Sequence, residues 1–207
     1  MGTRISKPAL AVGGLCMMLV SAALLTALSR NNAAPAVTTL APTAAVIDSA
    51  GASIASNRPG WQSIPFVNVR TNQSMTLADF AGKTIVVEVF SVWCSNCTEQ
   101  QKQSAQALTK LGQAAPVYIS LDMDIAHPHD TAQTVADYVA REQFPWVFAI
   151  SNQQFTDALI DQFGFNILNA PITPIFVISP TGTVSQLYIG NHNADDLITL
   201  IQAESKT

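Results

Sequence analysis

The run Thr84 to Phe90 (TIVVEVF) is followed, after only Ser91 and Val92, by Trp93-Cys94-Ser95-Asn96-Cys97. The run is short, almost wholly apolar and rich in β-branched residues, the pattern of a strand covered on both faces. Ser95 to Leu111 then reads as a helix, with Ala105, Leu108 and Leu111 on one side. The two cysteines therefore stand where a buried strand hands over to a helix. First-turn N–H groups lack backbone partners and carry partial positive charge, so a thiolate there is stabilised. A lowered thiol pKa raises the fraction of thiolate, which is the nucleophile. With two intervening residues, the second sulfur sits one helical turn on and can close a disulfide with the first. This geometry makes Cys94 an exposed attacking thiol and Cys97 a more buried resolving one.

Strands and helices alternate through the rest of the chain. Pro116 to Leu121 and Trp146 to Ile150 read as further strands, and Thr131 to Phe144 and Asn152 to Phe163 as helices. Ile175 to Ser179 and Val184 to Ile189 flank the turn Pro180-Thr181-Gly182 and read as a hairpin. Ala194 to Ala203 closes the chain as an amphipathic helix. Such alternation predicts an α/β fold, a central sheet with helices on both faces, made mixed by the late hairpin.

The N-terminal region has a different character. Pro8 to Leu28 contains no charged side chain, and about 20 apolar residues suffice for a helix to cross a bilayer. Arg4 and Lys7 precede it, which keeps the N-terminus in the cytoplasm and sends the remainder out. The length of the stretch and the loose fit of Ala27-Leu28-Ser29 to a cleavage site favour an uncleaved signal anchor (1–30) over a signal peptide. Residues 31–60, rich in Ala, Thr, Pro and Ser, read as a flexible tether. The remaining domain, 61–207, carries six Lys and Arg against thirteen Asp and Glu, a net charge of −7 with no basic run. That balance excludes nucleic acid as an expected partner.

A CxxC can also be half of a zinc site, but that needs two more ligands, and this domain holds no other cysteine and only His127, His129 and His192. A purely structural disulfide remains open outside the cytoplasm, although so short a loop constrains the unfolded chain little. Redox chemistry is the favoured reading, and it calls for no cofactor or metal.

Met75 to Lys83 (MTLADFAGK), running into TIVVEVFSVWCSNC, resembles the membrane-tethered thioredoxin-like proteins of bacteria, the TlpA-like and ResA-like group. The likeness continues through Phe144-Pro145 and Pro180-Thr181-Gly182 and spans roughly 61–205. It implies a thioredoxin fold with an extra N-terminal β-hairpin and a helix–strand insertion. It also implies a substrate-binding role for Trp93 and for a proline opposite the cysteines. Of Pro171 and Pro174, the latter directly precedes the apolar run IFVIS and is preferred, which makes Thr173 the residue lining the groove. Glu88 matches the buried acid of thioredoxins. Inside an apolar run its pKa should be raised, fitting it to exchange a proton with Cys97. Periodicity alone leaves open whether the pleat turns Glu88 outward. This chain departs from the group in its Ser95-Asn96 dipeptide, where a proline is commoner, and in the longer stretch Asn166 to Pro171.

The function so implied is thiol–disulfide exchange with extracytoplasmic proteins, most readily reduction of their disulfides, fed by a membrane electron donor. The soluble domain would face the periplasm or extracytoplasmic space from the bacterial inner membrane. Thiol oxidation or isomerisation on the same fold is the alternative. The loop Asp122 to Thr131 also resembles that of Sco-type copper-handling proteins. Those space their cysteines by three residues and use a distal histidine, which this chain lacks between His129 and His192.

Overall fold

The computed structural model describes residues 58–123 and 130–207. The expected anchor, most of the tether and His127 and His129 lie outside the described residues. Among the described residues no helix is long and apolar enough to cross a membrane.

Six strands form one mixed sheet: β1 (Phe66–Asn68), β2 (Ser74–Met75), β3 (Ile85–Phe90), β4 (Val117–Asp122), β5 (Val147–Ile150) and β6 (Ile175–Ile178), in the order β2-β1-β5-β4-β3-β6. β3, β4 and β5 run parallel, whereas β1 and β6 are antiparallel to β5 and β3. Every residue of β3 is buried, Glu88 included, as its almost wholly apolar run requires. β1 and β2 are the expected N-terminal hairpin, and the helix α2 (Ala132–Glu142) with β5 forms the helix–strand insertion.

Pleating divides the core in two. Val86, Phe90, Tyr118 and Phe148 meet α1 (Ser95–Leu111), α2 and α4 (Ala194–Glu204) on one face. Ile85, Val87, Val89 and Leu121 meet α3 (Gln153–Phe163) on the other. Each helix starts on a side-chain cap. Thr131 closes a reciprocal box with Thr134, Asn152 accepts from Phe155 N–H, and Asn193 accepts from Asp195 and Asp196 N–H. Helix α1 stops at Gly112, whose φ of +54° is costly for a residue with a side chain.

Two expectations need correction. Val184 to Ile189 does not form a regular strand. Its ladder with β6 is reduced to the bridges Ile178–Val184 and Ile175–Tyr188, with Ser185 N–H donating to the Val177 carbonyl between them. Three steps along β6 are opposed by four on the returning segment, which is a bulge, and Ser185 Oγ takes over as acceptor for Val177 N–H at 2.9 Å. The tether also yields earlier than its composition suggests. Arg58 donates to Gln62 Oε1 and to the Pro180 carbonyl, and buried Gln62 donates to the Gly182 carbonyl at 3.0 Å.

Phe90 packs against Tyr138 and Phe148 at centroid distances of 5.5 and 5.3 Å and is fully buried. Phe90→Ala is expected to lower unfolding free energy in urea by about 3–5 kcal/mol. Phe165→Ala, at a side chain 77% exposed, should change it by less than about 0.5 kcal/mol.

Candidate active site

The chain leaves β3 at Phe90 and turns through Ser91 and Val92 before entering α1. The turn is pinned by Val92 N–H donating to Asp130 Oδ2 at 3.0 Å and by Cys94 N–H donating to the Ser91 carbonyl at 3.0 Å. Cys94 is the N-cap of α1, its sulfur accepting from Cys97 N–H at 3.1 Å. Cys94 and Cys97 are joined in a disulfide with Cα atoms 5.3 Å apart, inside the ordinary range. Trp93, by contrast, is half exposed.

Cys94 was expected to be exposed, yet in this oxidised form it is 3% exposed and Cys97 is fully buried. The cap and the disulfide turn the Cys94 sulfur inward over the first helical turn, and both sulfurs join the core with Ala170. Of the two residues Cys94 keeps the slightly greater exposure.

The segment before β6 closes the other side of the pair. Asn96 Nδ2 donates to the Pro171 carbonyl at 3.1 Å. The Ala170 carbonyl lies 3.2 Å from Cys97 Sγ and also accepts Thr173 N–H at 2.7 Å. In the reduced form the Cys97 thiol has an acceptor already in place there. Pro174 is buried, and its carbonyl accepts Val89 N–H at 2.9 Å, so the ladder of β3 continues past β6 to this residue. Pro171 is exposed. Thr173 differs from a simple groove-lining residue. It is fully buried, its N–H is occupied by Ala170, and its hydroxyl donates to Asn191 Oδ1 at 3.2 Å. Its φ of 48° is a rare conformation for a β-branched residue. The 3-10 turn Ala170–Ile172 that ends the Asn166 to Pro171 stretch imposes this arrangement. A substrate backbone would have to displace the Ala170 carbonyl to reach the Thr173 N–H.

Glu88 points to the α1 face of the sheet, the face of Val86 and Phe90, and is fully buried. It shares a 2.6 Å hydrogen bond with the Tyr118 hydroxyl. Burial disfavours the carboxylate and pushes Glu88 up to about 8, against a smaller opposing effect of the Tyr118 bond. Tyr118 is itself driven upward by burial and by the negative charge of Glu88. At neutral pH the pair therefore holds one carboxyl proton in the interior.

Periodicity gave no hint of Gln100 or of the role of Tyr118. Gln100, fully buried, accepts from His192 N–H at 2.7 Å and donates to the His192 carbonyl at 3.2 Å. This fastens α1 to the loop carrying Gly190 and Asn191, and Gly190 N–H in turn donates to the Ile172 carbonyl at 2.7 Å. A glutamine recurring on the inner side of a helix is the only sequence signal. Tyr118 and Ser120 interrupt the apolar strand β4 on the face of Glu88, which is visible once β3 and β4 are aligned in parallel. Among the described residues no group of three His, Cys, Asp or Glu side chains is placed to hold a metal.

The raised pKa of Glu88 has a consequence for stability. Its carboxyl releases a proton near pH 4.5 when unfolded and near 8 when folded. Between those values the native state binds the proton and the unfolded chain does not, so stability falls as pH rises. The contribution is complete below the lower value and lost once pH passes the upper one. Glu88→Gln should flatten this decline, gaining a few kcal/mol on the parent at about pH 8 relative to about pH 5, as read from urea midpoints. The raised tyrosines titrate above this window.

The fold agrees with what this chain is similar to. A thiol:disulfide interchange protein of the thioredoxin family from Chlorobium tepidum superposes with a TM-score of 0.55 at 18% identity, covering 69% of this chain and 92% of that one. A secreted Mycobacterium tuberculosis disulfide oxidoreductase, homologous to Escherichia coli DsbE, gives 0.54 at 11% identity, covering 69% and 97%. A putative electron transfer protein from Aquifex aeolicus gives 0.57 at 18% identity, covering 70% and 96%. Identities this low speak for the fold alone. Comparison with curated proteins gave no match. The Redoxin family model, however, matches residues 62–201, most of the chain and all of the site just described. With its thioredoxin-like fold and with Cys94 and Cys97 paired in a disulfide, the chain belongs to the redoxin family.

Proposed function

We propose that this protein is a membrane-anchored, extracytoplasmic oxidoreductase of the TlpA/ResA-like kind that reduces disulfides in partner proteins. The observation that carries the chemistry is the Cys94–Cys97 disulfide at the N-terminus of α1, with the buried acid Glu88 on the same face of the sheet.

In the reduced protein the Cys94 thiolate attacks a partner disulfide, forming a mixed disulfide and releasing one partner thiolate. Cys97 then gives up its proton and attacks the Cys94 sulfur, which frees the second partner thiolate and regenerates the internal disulfide. Two electrons leave the protein, and both released thiolates take up protons. The Ala170 carbonyl keeps the Cys97 proton in place until attack, favouring Cys94 as the first nucleophile, and Glu88 in its ionised form is the base that takes the proton. Trp93 and, once the Ala170 carbonyl is displaced, the backbone around Thr173 and Pro174 form the wall against which the partner's cysteine is held.

Several features support the cellular setting. The uncharged stretch Pro8 to Leu28 behind Arg4 and Lys7 suits an anchor with the domain outside. The structural neighbour from M. tuberculosis is a secreted protein. A domain outside the cytoplasm needs electrons from within, so a membrane partner bearing a dithiol is the fitting donor.

Cys94→Ala is expected to abolish reduction of insulin disulfides, and Cys97→Ala to accumulate mixed disulfides with the natural partner, seen on non-reducing gels. Retention of full activity by both variants would overturn the assignment. Direction is read from the equilibrium potential against glutathione. A value near roughly −270 mV identifies a reductant, and one near roughly −120 mV a thiol oxidant.

A further inference from the structure

Glu88 has one oxygen that is bonded and one that is not. Oε2 lies 2.6 Å from the Tyr118 hydroxyl, while Oε1 is buried without a hydrogen-bond partner. The Tyr118 hydroxyl is also 2.7 Å from Ser104 Oγ on α1, and Ser104 Oγ is 3.0 Å from the Gln100 carbonyl. All four residues are buried, at 3% exposure or less.

Each hydroxyl carries one hydrogen, so the row has two self-consistent arrangements. With Glu88 protonated, its carboxyl donates to Tyr118, Tyr118 donates to Ser104, and Ser104 donates to the Gln100 carbonyl. With Glu88 ionised, Ser104 turns to Tyr118 and Tyr118 donates to the carboxylate. No hydrogen is left without an acceptor in either state, and switching between them needs only rotation of two hydroxyls.

We propose that Tyr118 and Ser104 are positioning residues, a reversible pair of hydroxyls that turn their hydrogens toward Glu88 whenever it gives its proton to the cysteine pair, and away when the proton returns. This rests on the proton-exchange role assigned to Glu88 above. Without the pair, a bare carboxylate would face the core, where an unpaired charge is strongly disfavoured. Atoms balance throughout: one proton passes between the Glu88 carboxyl and sulfur, and no net proton crosses the hydroxyls.

On this face of the sheet β4 also carries buried Asp122, opposite Phe90, and the buried residues of α1 include no acid or base. Cys94 and Cys97 approach from α1 and Tyr138 from α2. β6 offers Ile175 and Val177, α4 offers Leu197 and Ile201, and Ala170 comes from the turn before β6. The titration of Glu88 is therefore governed by burial and by Tyr118.

The test compares Tyr118→Phe, Ser104→Ala and Glu88→Gln in the full chain. The Glu88 titration is followed by its infrared carboxyl band, and the rate of Cys97-dependent resolution of a mixed disulfide is followed against pH. Tyr118→Phe is expected to move the Glu88 titration upward by about one pH unit or more and to slow resolution at neutral pH about tenfold. Ser104→Ala should do the same to a smaller extent, and Glu88→Gln should remove the pH-dependent limb altogether. A Glu88 titration unchanged in both hydroxyl variants overturns the proposal. Because the band is read without substrate, this outcome is separate from failure of the parent protein to reduce disulfides, which would overturn the functional reading instead. Should Tyr118→Phe fail to fold, Ser104→Ala decides alone.

Discussion

A strand buried on both faces must deliver its chain to the protein surface within a few residues, and β3 sets the terms for everything around it. Its parallel neighbour β4 and antiparallel neighbour β6 satisfy its backbone groups along its length. The next helix then begins with its unpaired N–H groups just beyond the end of that strand. Cys94 answers one of those groups with its own sulfur. The redox pair is thus part of how the helix starts, so the requirements of the fold and of the chemistry coincide at one residue.

Most of the architecture was legible because it depends on local pattern. The apolar runs of β3, β4 and β6 and the periodic faces of all four helices place those elements within a residue or two of where they lie. What was not legible depends on contacts between distant segments. The bulge opposite β6 arises from Ser185 competing as an acceptor, which no alternation of apolar and polar residues encodes. Glu88 could not be assigned a side from the run alone, because both faces of that strand are covered and the usual contrast between them vanishes. The burial of Thr173 follows from the 3-10 turn at Ala170–Ile172, a segment whose sequence signals only a departure from the commoner length, and that of Cys94 from its cap and its disulfide.

Polar groups between α1, α2 and the sheet are joined into hydrogen-bonded sets. A second buried set links Tyr138 to Gln101, Gln101 to Ser120, and Ser120 to Trp146 Nε1 at 2.9 Å. Thr98 bridges this set to the Cys94 carbonyl. Buried polar networks of this kind trade apolar burial for fixed geometry. Here they hold α1 in one register over the sheet, which keeps the sulfurs and the carboxyl in a constant relation while the disulfide opens and closes.

The fastening of Arg58 and Gln62 to the turn at Pro180 and Gly182 has a mechanical meaning. Ile178 pairs with Ile85, so that turn sits at the start of β3, at the opposite end of the sheet from Cys94. Chain arriving at Arg58 therefore meets the domain at the pole remote from the sulfurs. The hydrogen bonds that secure Arg58 and Gln62 are thus spent at the far pole, and none of them is taken from the pole that carries the cysteines.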